Sequence, residues 1–250
     1  NKVINKKIKA DSIIFDLGLS SLQISNLKRG FSFNSKEKLD MRMGLNSIGA
    51  QEVLNNLDLE KLSNIFRLFG EEKEAYKIAF NIVKQRNKKI INSVPELVSI
   101  IRNSKKRNFK KKINISTQTF QAIRIFVNKE ISELIYGLIN STKILDINGI
   151  LCAVSFHSIE DRIIKYYFKS LSEDKKISRY LPEEKNRNKL FQLKSKKPII
   201  PTQKELTLNR PSRSAKLRYA IKKINLVNFE KDFLNKFSKL LEIENLSKKL

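Results

Sequence analysis

Two short segments carry residues suited to chemistry on a small polar ligand. In Asp16-Leu-Gly-Leu-Ser-Ser21, an acid ends the apolar run Ser12 to Leu17 and Gly18 lets the chain turn sharply. That run reads as a buried strand, and open α/β sheets bind their ligands at the carboxyl ends of strands. Ser20 and Ser21 add hydroxyls and amides to the same turn. In Ser155-Phe-His-Ser-Ile-Glu-Asp-Arg162, a second buried strand over 149–156 ends and a helix opens. Ser158 has N-cap chemistry, with Asp161 at the capping-box spacing. His157 is the one histidine in the chain, able to hydrogen-bond a base or move a proton near neutral pH. Both segments therefore fall on one rim. Each also has a plainer reading, as a strand end, a turn and a packed histidine.

A further set of residues is suited to holding nucleic acid. Thr117, Gln121, Arg124 and Asn128 recur at helical spacing on one polar face. Gln, Arg and Asn side chains hydrogen-bond base edges and phosphates well, although a polar stripe is also what a solvated helix face looks like. The run KKRNFKKK, residues 105–112, sets Lys105, Lys106, Arg107 and three further lysines around Phe109. Such a run can grip phosphates and offer one ring for stacking. Asp40, Arg42, Arg162 and Arg213 are additional candidates for placing RNA, Asp40 and Arg42 being equally readable as a surface ion pair.

The elements that must position these residues follow from periodicity. After the first strand, 18–49 has no helical period and reads as a long ordered loop. Leu59, Leu62, Phe66 and Phe69 share a helix face that stops at Gly70, read as its cap. Ala75, Ile78, Ala79, Ile82 and Val83 mark the next helix. Ser93 to Glu96 has capping-box spacing before another. One long helix is expected from Thr117 to Ile139, burying Phe120, Ile123, Val127, Leu134 and Leu138. After the second strand, a helix runs through Lys169, and 173–198 is charged and irregular. Late strands are expected at Phe191 to Leu193 or Pro198 to Ile200, and at Lys216 to Ile221. Phe229, Phe233, Phe237 and Leu241 mark a final amphipathic helix. The order is that of an α/β sheet with an all-helical insertion.

Composition narrows the function classes. Of 250 residues, 51 are Lys or Arg and 25 Asp or Glu, a formal charge of +26 that fits a polyanionic partner or a biased genome. With 40% hydrophobic residues the chain can bury a core. Cys152 is the single cysteine, so no internal disulfide or cysteine-based zinc site is expected, which fits a reducing compartment. No metal site is expected. No apolar run approaches the ~18 residues of a membrane span. The seven glycines never reach GxG spacing, which excludes a P-loop and a dinucleotide fingerprint.

Taken together, the motifs identify a family. Asp16-Leu-Gly-Leu-Ser-Ser-Leu-Gln23, Arg29-Gly-Phe-Ser-Phe33, Leu39-Asp-Met-Arg-Met43, Phe69-Gly-Glu-Glu72, Thr119-Phe-Gln-Ala-Ile-Arg-Ile125 with Val127-Asn128, Ser155-Phe-His-Ser-Ile-Glu-Asp-Arg162 and Ser212-Arg-Ser-Ala-Lys-Leu-Arg218 occur in that order. They closely resemble the bacterial 16S rRNA cytosine-N4 methyltransferase H family over residues 10–223. Asn209-Arg-Pro211 departs from that family's usual Asn-Pro-Arg. The resemblance implies a class I methyltransferase (Rossmann-like) sheet, here partial, with an inserted all-helical domain that helps recognise RNA. It implies methyl transfer from S-adenosylmethionine to the exocyclic N4 of a decoding-site cytidine, a small-subunit partner and a cytoplasmic setting. Asp16 and Gln23 match positions that contact the methyl donor in that family. Asp16, Ser20, Ser21, Ser155 and His157 are, by position, the groups expected to serve catalysis. The implied organisation is a first part of the methyltransferase core over 1–46, a helical RNA-recognition insertion over 47–140, later core strands over 141–223 and a C-terminal helix over 224–250. The family's glycine-rich loop and the acid after its second strand have no counterpart here, so the sequence is expected to begin just before the fourth strand, either as a piece of a longer chain or as a truncated product, and only the truncated product is expected to bind donor weakly or not at all. The alternative is a basic rRNA-binding module that keeps the fold without the chemistry.

Overall fold

A computed structural model describes residues 9–44, 48–105, 114–172, 189–225 and 228–249. Its contacts divide the chain into two compact units, one of residues 1–18 and 133–236, the other of 19–132 and 237–250.

The first unit is a four-stranded sheet with helices against it. Strand β1 (Ala10–Asp16) pairs in parallel with β2 (Leu145–Ser155), Asp16 lying opposite Val154. Strand β4 (Lys216–Lys222) runs antiparallel to β2 on its other side, and the two-residue β3 (Phe191–Gln192) closes the order β1-β2-β4-β3. Helix α8 (Ser158–Ser170) follows β2 directly. Its Ile159, Ile163, Ile164, Tyr167 and Phe168 are buried. Tyr167 packs its ring at a tilt against Phe233 of α10 (Glu230–Asn245), centroids 4.6 Å apart, and hydrogen-bonds Thr142 of α7 (Glu130–Ile144) through its hydroxyl at 2.7 Å. Both late strands exist, although Pro198 to Ile200 contributes only a single bridge, Ile199 to Leu217.

Two of the expected buried strands are open on one face. β1 is an edge strand, paired only with β2 among the described residues, and Ile14 is 72% exposed. On β2, Leu151, Ala153 and Ser155 are buried while Ile150 is 41% exposed. An apolar run does not reveal whether a second layer covers both sides of a sheet.

In the second unit, helices α3 (Leu59–Gly70), α4 (Ala75–Arg86), α5 (Val94–Ser104) and α6 (Thr117–Asn128) bury most of the predicted apolar stripes, Leu59 and Val83 being only half-buried, and α2 (Ala50–Asn56) joins them. The single long helix expected from Thr117 to Ile139 is instead two. Lys129 sits in the left-handed region (φ 52) as the C-cap of α6, and α7 begins at the next residue. Both halves are apolar at the same period, so the break is invisible to a periodicity argument. Gly70 also serves differently from expectation. It is the last residue of α3, and Glu71 is the left-handed cap (φ 51). A Cβ on Gly70 would stand 2.4 Å from the Gln118 carbonyl oxygen, so glycine is required for α6 to approach α3. The loop over 18–49 is mostly irregular, with one short helix, α1 (Ser21–Ser25), and a 3-10 turn over Leu27–Arg29.

Candidate active site and nucleic-acid interface

In the first unit, parallel pairing puts the carboxyl ends of β1 and β2 side by side, and the Leu17 amide extends the ladder to the Val154 carbonyl at 3.2 Å. The rim expected from sequence is therefore built, carrying Asp16, Ser155 and His157. Gly18 turns the chain at φ 91 beside Phe156. Asp16 is exposed, and its carboxylate has no hydrogen-bond or ion-pair partner among the described residues. The other two residues are committed. Ser155 is buried, and its hydroxyl donates to the Lys216 carbonyl at 3.3 Å.

His157, rather than Ser158, is the N-cap of α8. Its Nδ1 accepts from the Glu160 amide at 3.4 Å, and the Glu160 carboxylate accepts from the amides of Phe156 (2.8 Å) and His157 (3.2 Å). Accepting at Nδ1 assigns the proton of the neutral ring to Nε2. That atom is buried 3.1 Å from Glu160 Oε1, out of line for a hydrogen bond. Glu160 thus takes the capping-box role expected of Asp161. Asp161 instead joins α8 to β4, accepting from Arg218 at 2.7 Å and Lys216 at 3.1 Å. Burial works to raise its pKa, but the two cations outweigh it and hold the carboxyl below its ordinary value. Arg162 and Arg213 are exposed.

In the second unit, Ser20 and Gln23 hold each other in a capping box at α1. Ser20 Oγ accepts from the Gln23 amide at 3.2 Å, and Gln23 Oε1 accepts from the Ser20 amide at 2.9 Å. Ser21 is exposed at the first position of α1.

The polar face of α6 is turned mainly to internal work. Gln121 donates to the Phe69 carbonyl at 3.0 Å, and Arg124 makes a two-pronged pair with Glu130 at 2.8 and 2.9 Å. Asn128 accepts from the Met43 amide at 2.7 Å and donates to the Met41 carbonyl at 2.8 Å. Arg29 closes the same turn from the other side, donating to the carbonyls of Arg42 (2.6 Å) and Met43 (3.0 Å). At the centre of this clamp Met41 is fully buried in the left-handed region (φ 57). A non-glycine residue there costs about 1–3 kcal/mol and persists only where its surroundings over-determine it. The turn presents Asp40 and Arg42 as a paired acid and cation with side chains 33% and 41% exposed.

Lys105 is not a surface cation. Its ammonium pairs with Glu72 and donates to the Ile115 carbonyl at 2.7 Å, and Glu72 also accepts from Thr119 at 3.4 Å. Lys106, Arg107 and the rest of the 105–112 run lie outside the described residues, as do residues 173–188 of the charged stretch.

Two buried charges had no role in the sequence reading. Lys222 donates to the carbonyls of Thr142 (2.8 Å) and Leu145 (2.7 Å), closing the end of α7. Glu244 of α10 accepts from the amides of Ile131 (2.9 Å) and Ser132 (2.7 Å), capping the start of α7. Burial pushes the Glu244 carboxyl up to about 7. One acid among several in a C-terminal amphipathic helix carries no signal for such a contact.

The rim and the clamp both fall within a stretch of the chain that matches a known family. The family model of the MraW methylases matches residues 1–223. The chain belongs to the MraW methylase family. This methylase is 45% identical over 215 residues to a ribosomal RNA small subunit methyltransferase H of Ehrlichia canis, covering 86% of its own length and 70% of the relative. It is 44% identical to the protein of that name from Caldicellulosiruptor saccharolyticus, with the same coverages. To the one from Orientia tsutsugamushi strain Boryong it is 41% identical over 231 residues, 89% of this chain and 73% of the relative. The methylase is therefore an enzyme of a methyl-transferring family, and its partly parallel α/β sheet is consistent with the class I methyltransferase fold. No helix among the described residues is long and apolar enough to cross a membrane.

Proposed function

We propose that this methylase transfers a methyl group from S-adenosylmethionine to the exocyclic N4 of a decoding-site cytidine in the 16S RNA of the small ribosomal subunit, in the cytoplasm. The observation that carries this reading is the rim of β1 and β2, with one exposed, unpartnered carboxylate at the end of β1 and, just past the end of β2, a histidine already committed as a helix cap. The names of the relatives supply the RNA.

The exocyclic amine of cytosine is a poor nucleophile, because its lone pair is delocalised into the ring. The protein must hold that nitrogen in line and accept a hydrogen bond from its N–H. S-adenosylmethionine supplies the methyl on a cationic sulfur that leaves as a neutral thioether. Asp16 suits the accepting role: its carboxylate is exposed and uncommitted, so it can take an N–H bond from the amine or from groups of the donor. His157 has its Nδ1 lone pair occupied by the Glu160 amide, which leaves it a donor at Nε2. We therefore assign His157 and Ser155 to positioning the rim, and Asp16 to contact with the reacting groups. Gln23, fixed by Ser20, is assigned to the methyl donor, while Ser20 serves to orient Gln23 and Ser21 follows it in the same turn. In RNA placement, Asp40 and Arg42 present the clamped turn, while Gln121, Arg124 and Asn128 shape the surface behind it.

The test is tritium transfer from S-adenosylmethionine to small subunits that lack the modification, followed by digestion to nucleosides. Label in N4-methylcytidine is expected. Asp16→Asn should lower the turnover by about 10²-fold or more. Label in another nucleoside, or full activity of Asp16→Asn, overturns the assignment.

A further inference from the structure

A second surface of the helical unit has the chemistry of a strand-binding groove. Residues 33–36 and the outer face of α5 enclose a cleft of about 370 Å³ lined by Phe33, Asn34, Lys36, Pro95, Arg102 and Asn103, among others. Its walls are tied together rather than merely adjacent. Lys38 forms a β-bridge with Ser93, the Leu39 amide donates to the Asn92 carbonyl at 3.0 Å, and the Val94 amide donates to the Glu37 carbonyl at 3.0 Å. Buried Ser35 pins the loop from below, donating to the Leu27 carbonyl at 2.6 Å. Phe33 stands edge-on to Phe120 at 6.3 Å, which sets the plane of its ring.

The lining contains two cations and no acid. Lys36 and Arg102 are exposed and have no ion-pair partner among the described residues. Elsewhere in this unit Lys61, Lys89, Lys105 and Arg124 are each paired with an acid. Unpaired cations beside an oriented ring and two amide side chains match one ligand chemistry: phosphates in register with an unstacked base. A duplex would present its bases already stacked, leaving nothing for the ring.

We propose that this groove binds a single-stranded segment of RNA, with Lys36 and Arg102 on phosphates and Phe33 and Pro95 against a base. It deepens the rRNA reading above, resting on it for the class of partner, and it names residues away from the rim. A preformed groove of this kind holds flanking substrate, so its contribution is to affinity and not to the chemical step.

The test is fluorescence anisotropy of the 250-residue chain with a labelled 12-nucleotide single strand, titrated at several salt concentrations. Lys36→Ala/Arg102→Ala is compared with Lys77→Ala/Lys84→Ala, which removes the same charge from the exposed side of α4. The groove variant should flatten the slope of log affinity against log salt by about 1.4, two phosphates at ~0.7 each, and the control should not. Phe33→Leu should weaken binding about tenfold with the slope unchanged, and Phe33→Tyr should bind as the parent does. Thermal melts by circular dichroism keep a loss of folding distinct from a loss of contact. Equal behaviour of the groove and control variants overturns the proposal. So does duplex RNA that binds as tightly as single strands, or an acidic phosphopeptide that binds more tightly. A chain that shows groove-dependent binding but no methyl transfer refutes the proposed function and leaves the groove. Methyl transfer with binding indifferent to groove substitutions does the reverse.

Discussion

Asn128 is the side chain on which the clamped turn depends most, and Asn128→Ala measures that dependence. The substitution removes the hydrogen bond accepted from the Met43 amide and those donated to the carbonyls of Met41 and Arg124. The Arg124 carbonyl belongs to α6 and keeps its place in the helix, so its loss counts for little. The other two hold a turn whose central residue is fully buried at φ 57. Each such bond is worth about 1 kcal/mol net, and up to about 3 where the abandoned group stays dry. Met43 is half-buried, so water can partly replace its bond. The sum is about 3 kcal/mol, or a fall in Tm of roughly 6–12 °C for a chain of this size. Asn128→Asp keeps the acceptor for Met43 and loses the donor to Met41, so it should cost about half as much. Urea denaturation followed by far-ultraviolet circular dichroism reads both. A cost below about 0.5 kcal/mol for Asn128→Ala would refute the clamp, since it would mean the turn holds itself.

Two further predictions concern buried charge. Lys105 and Glu72 have side chains only 12% and 1% exposed, so Lys105→Met should destabilise by about 3 kcal/mol by stranding the carboxylate. The double substitution with Glu72→Gln should recover most of that in a urea double-mutant cycle; a neutral Lys105→Met would contradict the buried pair. Glu244 predicts a pH dependence. Burial raises its folded pKa from 4.5 to about 7, so between those values the native state binds more protons than the unfolded one. Stability should therefore fall as pH rises through that window, by about 3 kcal/mol at most. Urea midpoints at pH 5, 6, 7 and 8 should trace this slope, and Glu244→Gln should flatten it; an unchanged slope would remove Glu244 as its source.

The helical stripes were legible in the sequence because a period of 3.6 reports which face is buried whatever lies against it. Ile78, Ala79 and Ile82 of α4 and Leu97 and Ile101 of α5 are all buried. The capping box at Ser93 was legible for a similar reason, since it needs only four neighbouring residues. Glu96 accepts there from the amides of Asn92 and Ser93 and pairs with Lys89, and those contacts bring its carboxyl down to about 2 against the opposing effect of burial. At His157 local pattern failed. Ser158 and Asp161 fit the capping box as letters, but Asp161 is drawn 57 residues along the chain to Arg218, and the cap passes to His157 and Glu160.

The family, the α/β order and the rim could all be read along the chain, because motifs and periodicity act over short stretches of it. The tertiary structure alone decided which polar residues remain available to a ligand. Gln121, Arg124, Asn128 and Lys105 all look like RNA contacts when read along the chain, and each is bonded internally. Asp16, Lys36 and Arg102 look no different as letters and remain uncommitted. A polar side chain turns inward when a distant backbone group would otherwise be buried without a hydrogen bond. That demand is set by how helices and turns far apart in the chain pack together, and no local pattern records it.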